Sequence, residues 1–213
     1  MRRVVITGAG TVNPLAMDVA GTYAAFAAGR CAIGPLLIRD VDRLSVKIAA
    51  QVHGWQPEQH FERQRLPLLD RFAQFALVAA RQAVAQSGLR FQGALADTTG
   101  VVLGTAGGGL TTTDDNYRSV YAEGKSRVHP FVVPKLMSSA APSHVSMEFT
   151  LRGPSFALSS ACASSNHAMG LAFQMVRSGL ADVMLTGGTE AMLCLGGIKA
   201  WEGLRVMSPD ACR

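Results

Sequence analysis

The sequence predicts an α/β chain built on a largely parallel sheet, and three observations carry that expectation. Short apolar runs alternate with helical segments along the whole length. Glycine-rich bends follow several of those runs. Nearly half of the 213 residues are hydrophobic (48%) and 22 are glycine, which suits a buried sheet better than a fibrous or disordered chain.

The elements follow in order. Residues 3–7, RVVIT, read as a first strand ending in a glycine turn. Residues 18–29 read as a helix, with Asp18 as N-cap and Gly29 as its stop. VKIAAQV (46–52) reads as a strand. Residues 69–88 form the clearest helix, capped by Asp70, closed by Gly88, with Phe72, Phe75, Ala76 and Ala79 on one stripe. TGVVLG (99–104) is a short buried strand running into a glycine-rich bend. LTTTDDNYRSVYAEG reads as a helix whose positive end is favoured by Asp114 and Asp115, and PKLMSSAAPSHVSMEF as a helix kinked by Pro142. Then come the strand SFALSS, a turn holding Cys162, a helix to about Gly179, and a strand over 182–188. From Ala163 to Val176 this helix carries no charged residue, so it is expected to be buried on every side, with one layer above it and one below. Neither a low-complexity linker nor an internal domain boundary is visible.

Several function classes are disfavoured at this level. No run of eighteen apolar residues is present, so no membrane insertion is expected, and the apolar run before Gly8 is too short for an export signal. Cys31, Cys162, Cys194 and Cys212 are widely spaced without a CxxC, which points to reduced thiols in a cytoplasmic protein. No His/Cys pair has zinc-ligand spacing, so no metal site is expected. The net charge of +5 comes from scattered arginines, which reads as solvated surface rather than a nucleic-acid footprint; an acidic macromolecular partner stays open.

TGAGTVNPLA after the first strand invites a dinucleotide-binding reading. It lacks the third glycine of that fingerprint, and no acidic residue ends a clear second strand. A tight strand-to-helix turn is the plainer reading, and a nicotinamide-dependent dehydrogenase ranks far behind. GTAGGGL lacks the Gly-Lys-Ser/Thr of a P-loop. LTGGTEAM is a strand-end turn that lets backbone approach something closely.

Cys162 is different because it follows a strand and opens a helix. Its sulfur would lie near the positive end of the helix dipole, which lowers a thiol pKa and yields more thiolate. Its backbone N–H could stabilise an oxyanion on an attacked thioester. The small residues Ala161, Ala163, Ser164 and Ser165 leave room for a substrate chain. Read from the residues alone, a buried, inert cysteine stands beside the nucleophile as an equal alternative.

GPSFALSSACASSNHAMG, together with RRVVITGAGTVNPLA, VVLGTAGGGL, PFVVP, LTGGTEAM and RVMSPD, resembles the β-ketoacyl-acyl-carrier-protein synthases, condensing enzymes of the thiolase superfamily. The motifs run along the whole chain in the family's order, and the one centred on cysteine is the most specific. The resemblance implies that residues 1–213 are the N-terminal thiolase-like half of a five-layer αβαβα architecture, with the helix behind Cys162 in the central layer. It implies a ping-pong acyltransferase without a cofactor. Cys162 takes an acyl group from a carrier thioester, a malonyl thioester loses CO₂, and the resulting carbanion attacks the acyl-enzyme. Gly107, Gly108, Phe131, Val132, Ala161 and Ala163 would line the acyl substrate. Acyl carrier protein is the implied partner, docking on Arg65, Arg127 and Arg205, and a homodimer with PFVVP near its two-fold is implied.

Departures accompany the resemblance. Two histidines, a lysine and a glycine-rich oxyanion loop belong to the family's second half. None of His53, His60, His129, His144 or His167 lies in a matching motif. His167, on the helix behind the nucleophile, matches a structural histidine rather than a general base. A fragment, a clipped product or a split protein would each account for the missing half. Gly107 stands where fatty-acid members often carry a bulky aliphatic, which opens the question of chain length. The basic stretch FERQRLPLLD has Arg63 and Arg65 but then Pro67 and Leu68, so Arg127 and Arg205 match docking positions better. A non-catalytic, chain-length-factor-type partner subunit is the alternative, and Cys162 argues against it. Cys31, Cys194 and Cys212 match no chemical motif and read as packing or surface residues.

Overall fold

The computed structural model describes residues 2–208, so Cys212 and the end of RVMSPD lie outside the described residues. In chain order, α1 (Val19–Ala27) precedes two short strands, β1 (Ile33–Pro35) and β2 (Ile48–Ala50), paired antiparallel with Ile33 opposite Ala50. The long helix α2 (Arg71–Ser87) and the short α3 (Ala94–Asp97) lead into β3 (Thr99–Gly104). Next, α4 (Leu110–Tyr117) runs into a π-helical turn over Arg118–Ala122, followed by α5 (Val132–Leu136) and α6 (Ala140–Glu148). Strand β4 (Ser155–Leu158), helix α7 (Ser164–Ser178), strand β5 (Val183–Gly188) and helix α8 (Leu195–Gly203) complete the described chain.

The main sheet is parallel, in the order β4–β3–β5, with Val101 opposite Ser155 and Leu185. Strand alternation divides its two faces. Fully buried Val101 joins Phe72, Leu77, Ala141 and Val145 of α2 and α6, while Val102 turns the other way onto Ala168 and Met175 of α7. A satellite core of Leu36, Leu44 and Ile198 joins the β1–β2 pair to α8.

The caps follow the sequence reading. Asp18 accepts from the Gly21 N–H at 2.6 Å, and Gly29 takes the left-handed conformation just beyond α1. Asp70 caps α2 through Phe72 N–H at 3.1 Å, and Gly88 closes it at φ +67. Buried Asp70 also accepts from the backbone N–H (2.9 Å) and hydroxyl (2.5 Å) of Thr112, tying α2 to α4. The buried part of α2 is wider than one stripe: Phe72, Ala73, Ala76 and Leu77 are buried, and Phe75 and Ala79 are half-buried.

Five expectations are corrected. Residues 3–7 form no strand, because a strand exists only through its ladder and this run has no partner among the described residues; Val5 and Ile6 stand exposed. The strand expected over 46–52 shrinks to Ile48–Ala50 and pairs outside the main sheet. Pro142 kinks nothing: the helical segment breaks after α5, and Pro142 sits in the first turn of α6, where a missing N–H costs no helical bond. Asp114 and Asp115 lie past the first turn of α4. Asp114 accepts instead from the Gly196 N–H (3.1 Å) at the start of α8. Helix α7 is buried on one side only, through Ala168, Ala172 and Met175; Met169 and Phe173 are 43% and 41% exposed, since no layer packs on that face among the described residues.

Candidate active site

Cys162 lies just beyond the C-terminal end of β4, at the sheet edge where ligands of open α/β sheets collect, and its side chain is exposed. Among the described residues, Cys162 is therefore not a buried packing cysteine. The turn that presents it is strained. Ala161 is held at φ +54, a left-handed conformation costing a residue with a Cβ about 1–2 kcal/mol. A side chain three positions beyond Ala161 fixes this turn. Ser164, 4% exposed, donates its hydroxyl to the Ala161 carbonyl at 2.6 Å and accepts from the Ser160 N–H at 2.9 Å. Ser164 therefore shapes the turn rather than leaving room for a substrate, because its hydroxyl is spent on backbone. Among the described residues, the Cys162 N–H has no acceptor in hydrogen-bond geometry.

Two glycines bring the sheet up to this turn. A Cβ on Gly104, at the end of β3, would come within 2.3 Å of the Ser164 carbonyl group, and one on Gly188, at the end of β5, within 2.6 Å of the Ser165 Cβ. Only bare backbone lets the first turn of α7 rest on both strand ends. This is the close approach expected of LTGGTEAM.

The loop after β3 is tied to the loop after β5 by Glu190. Its carboxylate accepts from the Ala106 N–H at 2.7 Å, from the Gly107 N–H at 3.3 Å and from the Thr105 hydroxyl at 3.3 Å. The Thr105 hydroxyl in turn accepts from the Gly108 N–H at 3.0 Å. Gly108 needs its freedom, at φ +56 against Ser138 and the Leu136 carbonyl. Sequence reasoning reads Ser164 only as a small residue that leaves room, and it misses Glu190. The only local signal was a hydroxyl in the first turn behind the cysteine and an acid after a glycine pair.

The other expected site residues are distributed as follows. Ala161 and Ala163 flank Cys162, and Gly107 and Gly108 lie on the neighbouring loop. Phe131 is 47% exposed, and Val132 lines a cavity of about 380 Å³ with Arg127, His129, Lys135 and Asn116. Cys162 does not line that cavity, nor a second one of about 500 Å³ bounded by Phe75, Glu190, Met192 and Leu193. Arg127 and Arg205 are exposed. Arg65 is engaged within the chain: it pairs with Glu148 at 2.5 Å, and Arg81 binds the other carboxylate oxygen at 2.6 Å. Burial pushes the Glu148 carboxyl up, but the hydrogen bonds from Arg81 and Arg65 outweigh it and hold the group below the usual carboxylate range. His167 lies on the exposed side of α7.

The remaining candidates have structural roles. Burial, with Arg65 close by, pushes His144 below the usual histidine range despite a backbone hydrogen bond at Leu68. Burial pushes the Cys194 thiol up, as suits a packing cysteine. Gly8 and Gly10 lie against the α2 backbone, where a Cβ would come within 2.0 Å of the Ala83 and 1.9 Å of the Ala79 carbonyl oxygen. The Ala9 and Thr11 N–H groups donate to Gln86 and Gln82. These contacts make TGAG a helix-packing turn and leave no phosphate cradle. Among the described residues no His, Cys, Asp and Glu cluster could hold a metal ion, and no helix is long and apolar enough to cross a membrane.

Comparison with known proteins accords with this geometry. Residues 1–213 match the family described as Beta-ketoacyl synthase, N-terminal domain. Nodulation protein E of Rhizobium sp. (strain N33) is 41% identical over 212 residues, covering 100% of this chain and 52% of that protein. The 3-oxoacyl-[acyl-carrier-protein] synthase 2 of Staphylococcus aureus (strain N315) is 35% identical over 217 residues, again covering 100% and 52%. A crystal structure of a beta-ketoacyl synthase from Burkholderia phymatum STM815 superposes with a TM-score of 0.83 at 26% identity, covering 98% of this chain and 52% of that one. The chain thus spans about half the length of the curated relatives it matches. Its thiolase-like α/β fold, the cysteine turn at the sheet edge and the family match agree, and the chain belongs to the beta-ketoacyl synthase family.

Proposed function

We propose that the protein containing these residues is a condensing acyltransferase that elongates acyl chains in fatty-acid or polyketide synthesis, with Cys162 as acyl acceptor. The exposed thiol on the strained turn ahead of α7 carries this reading. In the first half-reaction the Cys162 sulfur attacks the acyl carbonyl, a C–S bond forms, and the carrier thiol leaves with the proton given up by Cys162. In the second, the malonyl carboxylate leaves as CO₂. The electron pair left on the α-carbon forms the new C–C bond, and the C–S bond to Cys162 breaks to release the thiolate, which takes up a proton from water to return the thiol. The unengaged Cys162 N–H is available to the thioester oxygen as charge develops there. The family's decarboxylating histidines have no counterpart in residues 1–213 and are expected on the further half that the relatives possess.

Acyl carrier protein is the proposed partner, consistent with the name of the Staphylococcus relative. Arg127 and Arg205 are the candidate contacts, whereas Arg65 could dock a partner only through what its pair with Glu148 leaves exposed. A cytoplasmic homodimer belongs to the same proposal. Among the described residues β4 pairs only with β3, so its outer edge, with Phe156 37% exposed, supports pairing with a second copy. The test is an intact mass spectrum of the natural full-length polypeptide after incubation with acyl-carrier thioester, followed by peptide mapping. One acyl group on Cys162, absent from Cys162→Ala, is the expected result. A thiol left unacylated sinks the reading and favours a non-catalytic chain-length-factor-type subunit.

A further inference from the structure

The loop 105–108 follows Gly104, on which the first turn of α7 rests, and its Thr105 N–H donates to the Leu158 carbonyl at the end of β4 at 3.1 Å; part of what holds it comes from outside the loop. Successive N–H groups of Ala106 and Gly107 converge as they do in backbone nests that bind anions. Here the anion is a side chain of the same protein, the carboxylate of Glu190, reaching over from the loop after β5. Both of its oxygens are used, and the Thr105 hydroxyl carries the tie on to the Gly108 N–H. A second observation fixes the surroundings. A Cβ on Gly107 would stand 3.3 Å from Glu190 Oε1 and 3.3 Å from Met192 Cε, so the space beside this glycine is already filled from the β5 side. Glu190 and Met192 also line the larger cavity. Thr189 N–H donates to the Gly104 carbonyl at 3.0 Å and its hydroxyl to the Phe72 carbonyl at 2.6 Å, which anchors the residue before Glu190 to the sheet and to α2.

We infer that Glu190 is a positioning residue: its carboxylate clamps the 105–108 loop in one conformation beside the Cys162 turn and so sets which acyl chains reach the thiol. This inference rests on Cys162 as acyl acceptor. An amide in place of the carboxylate keeps one acceptor oxygen but turns N–H donors toward the loop's own N–H groups, so Glu190→Gln loosens the clamp at nearly constant volume. Glu190→Ala removes it.

The experiment compares wild type, Glu190→Gln and Glu190→Ala in the natural full-length polypeptide, with three readouts. Hydrogen exchange at the Ala106 and Gly107 amides is expected to rise about tenfold or more, as local opening becomes easier. Alkylation of Cys162 by iodoacetamide, which needs only the thiol, is expected to stay within about twofold. The ratio of acylation rates with octanoyl and acetyl thioesters is expected to shift by about tenfold, more in Glu190→Ala than in Glu190→Gln. Unchanged amide exchange overturns the clamp. Raised exchange with an unchanged octanoyl-to-acetyl ratio overturns its bearing on the reaction. A wild-type Cys162 that alkylates but takes no acyl group from either thioester overturns the parent reading, and with it the role given to Glu190.

Discussion

The hydroxyl of Ser164 holds two backbone groups beside Cys162: the Ser160 N–H, for which it is the acceptor, and the Ala161 carbonyl, which also accepts from the Ser164 N–H at 3.1 Å. Replacing it with Ala removes both hydrogen bonds, an expected loss of about 1–3 kcal/mol. The turn also carries the left-handed Ala161, and its strain persists only while neighbouring groups over-determine it. In the natural full-length polypeptide, Ser164→Ala is therefore expected to slow acylation of Cys162, the proposed acyl acceptor, by an acyl-carrier thioester by roughly ten- to a hundredfold, since a small displacement of an oriented reacting group is costly. Time-resolved mass spectrometry reads that rate. A loss of melting temperature with an unchanged acylation rate would reduce Ser164 to a purely structural residue.

Among the elements, α7 depends on two strand ends without side chains. Gly104→Ala drives a Cβ to 2.3 Å from the Ser164 backbone, a neighbour that cannot swing away as a long side chain can. Such overpacking costs about 1–3 kcal/mol and, against backbone, belongs at or above the upper end. Gly34 is the control. It lies in β1, has no atom within 4 Å of an added Cβ and has no positive φ, so Gly34→Ala is expected to leave stability nearly unchanged. Denaturant melts of the two variants separate packing at the sheet edge from a general cost of losing glycine. Equal midpoints would refute the close-approach account.

At the scale of the molecule, the Glu148 ion triad joins three remote parts: the 60–65 segment, α2 and α6. Arg81 also donates to the His60 carbonyl at 2.7 Å and lies over the Phe61 ring. The folded pKa of Glu148 is depressed, so its contribution is complete above the unfolded carboxylate value of about 4.3 and is lost as pH falls through the lower folded value. Glu148→Gln is expected to cost about 1–3 kcal/mol at pH 7, with the gap to wild type closing below about pH 4. Thermal melts across that range check it, and a gap independent of pH would mean that charge is irrelevant at this site. The bare face of α7, with Met169 and Phe173, is larger in consequence than scattered surface hydrophobics, because exposed apolar patches mark contact surfaces. The five-layer architecture implied by the family resemblance would cover this face.

The sequence by itself determined β3, β4, β5, α2, α7 and the place of Cys162 between a strand and a helix. Each of these rests on local patterning: an apolar run, a capping aspartate, a closing glycine, and a specific motif around one cysteine. The tertiary structure alone decided that RVVIT forms no strand, that α7 has an open face, that Arg65 is drawn into a triad and that Glu190 clamps the loop after β3. Each of these depends on a partner far away in sequence. A ladder neighbour, an absent packing layer or a carboxylate from another loop leaves no periodic trace in the residues that need it, so only the folded chain could show which long-range pairs are made.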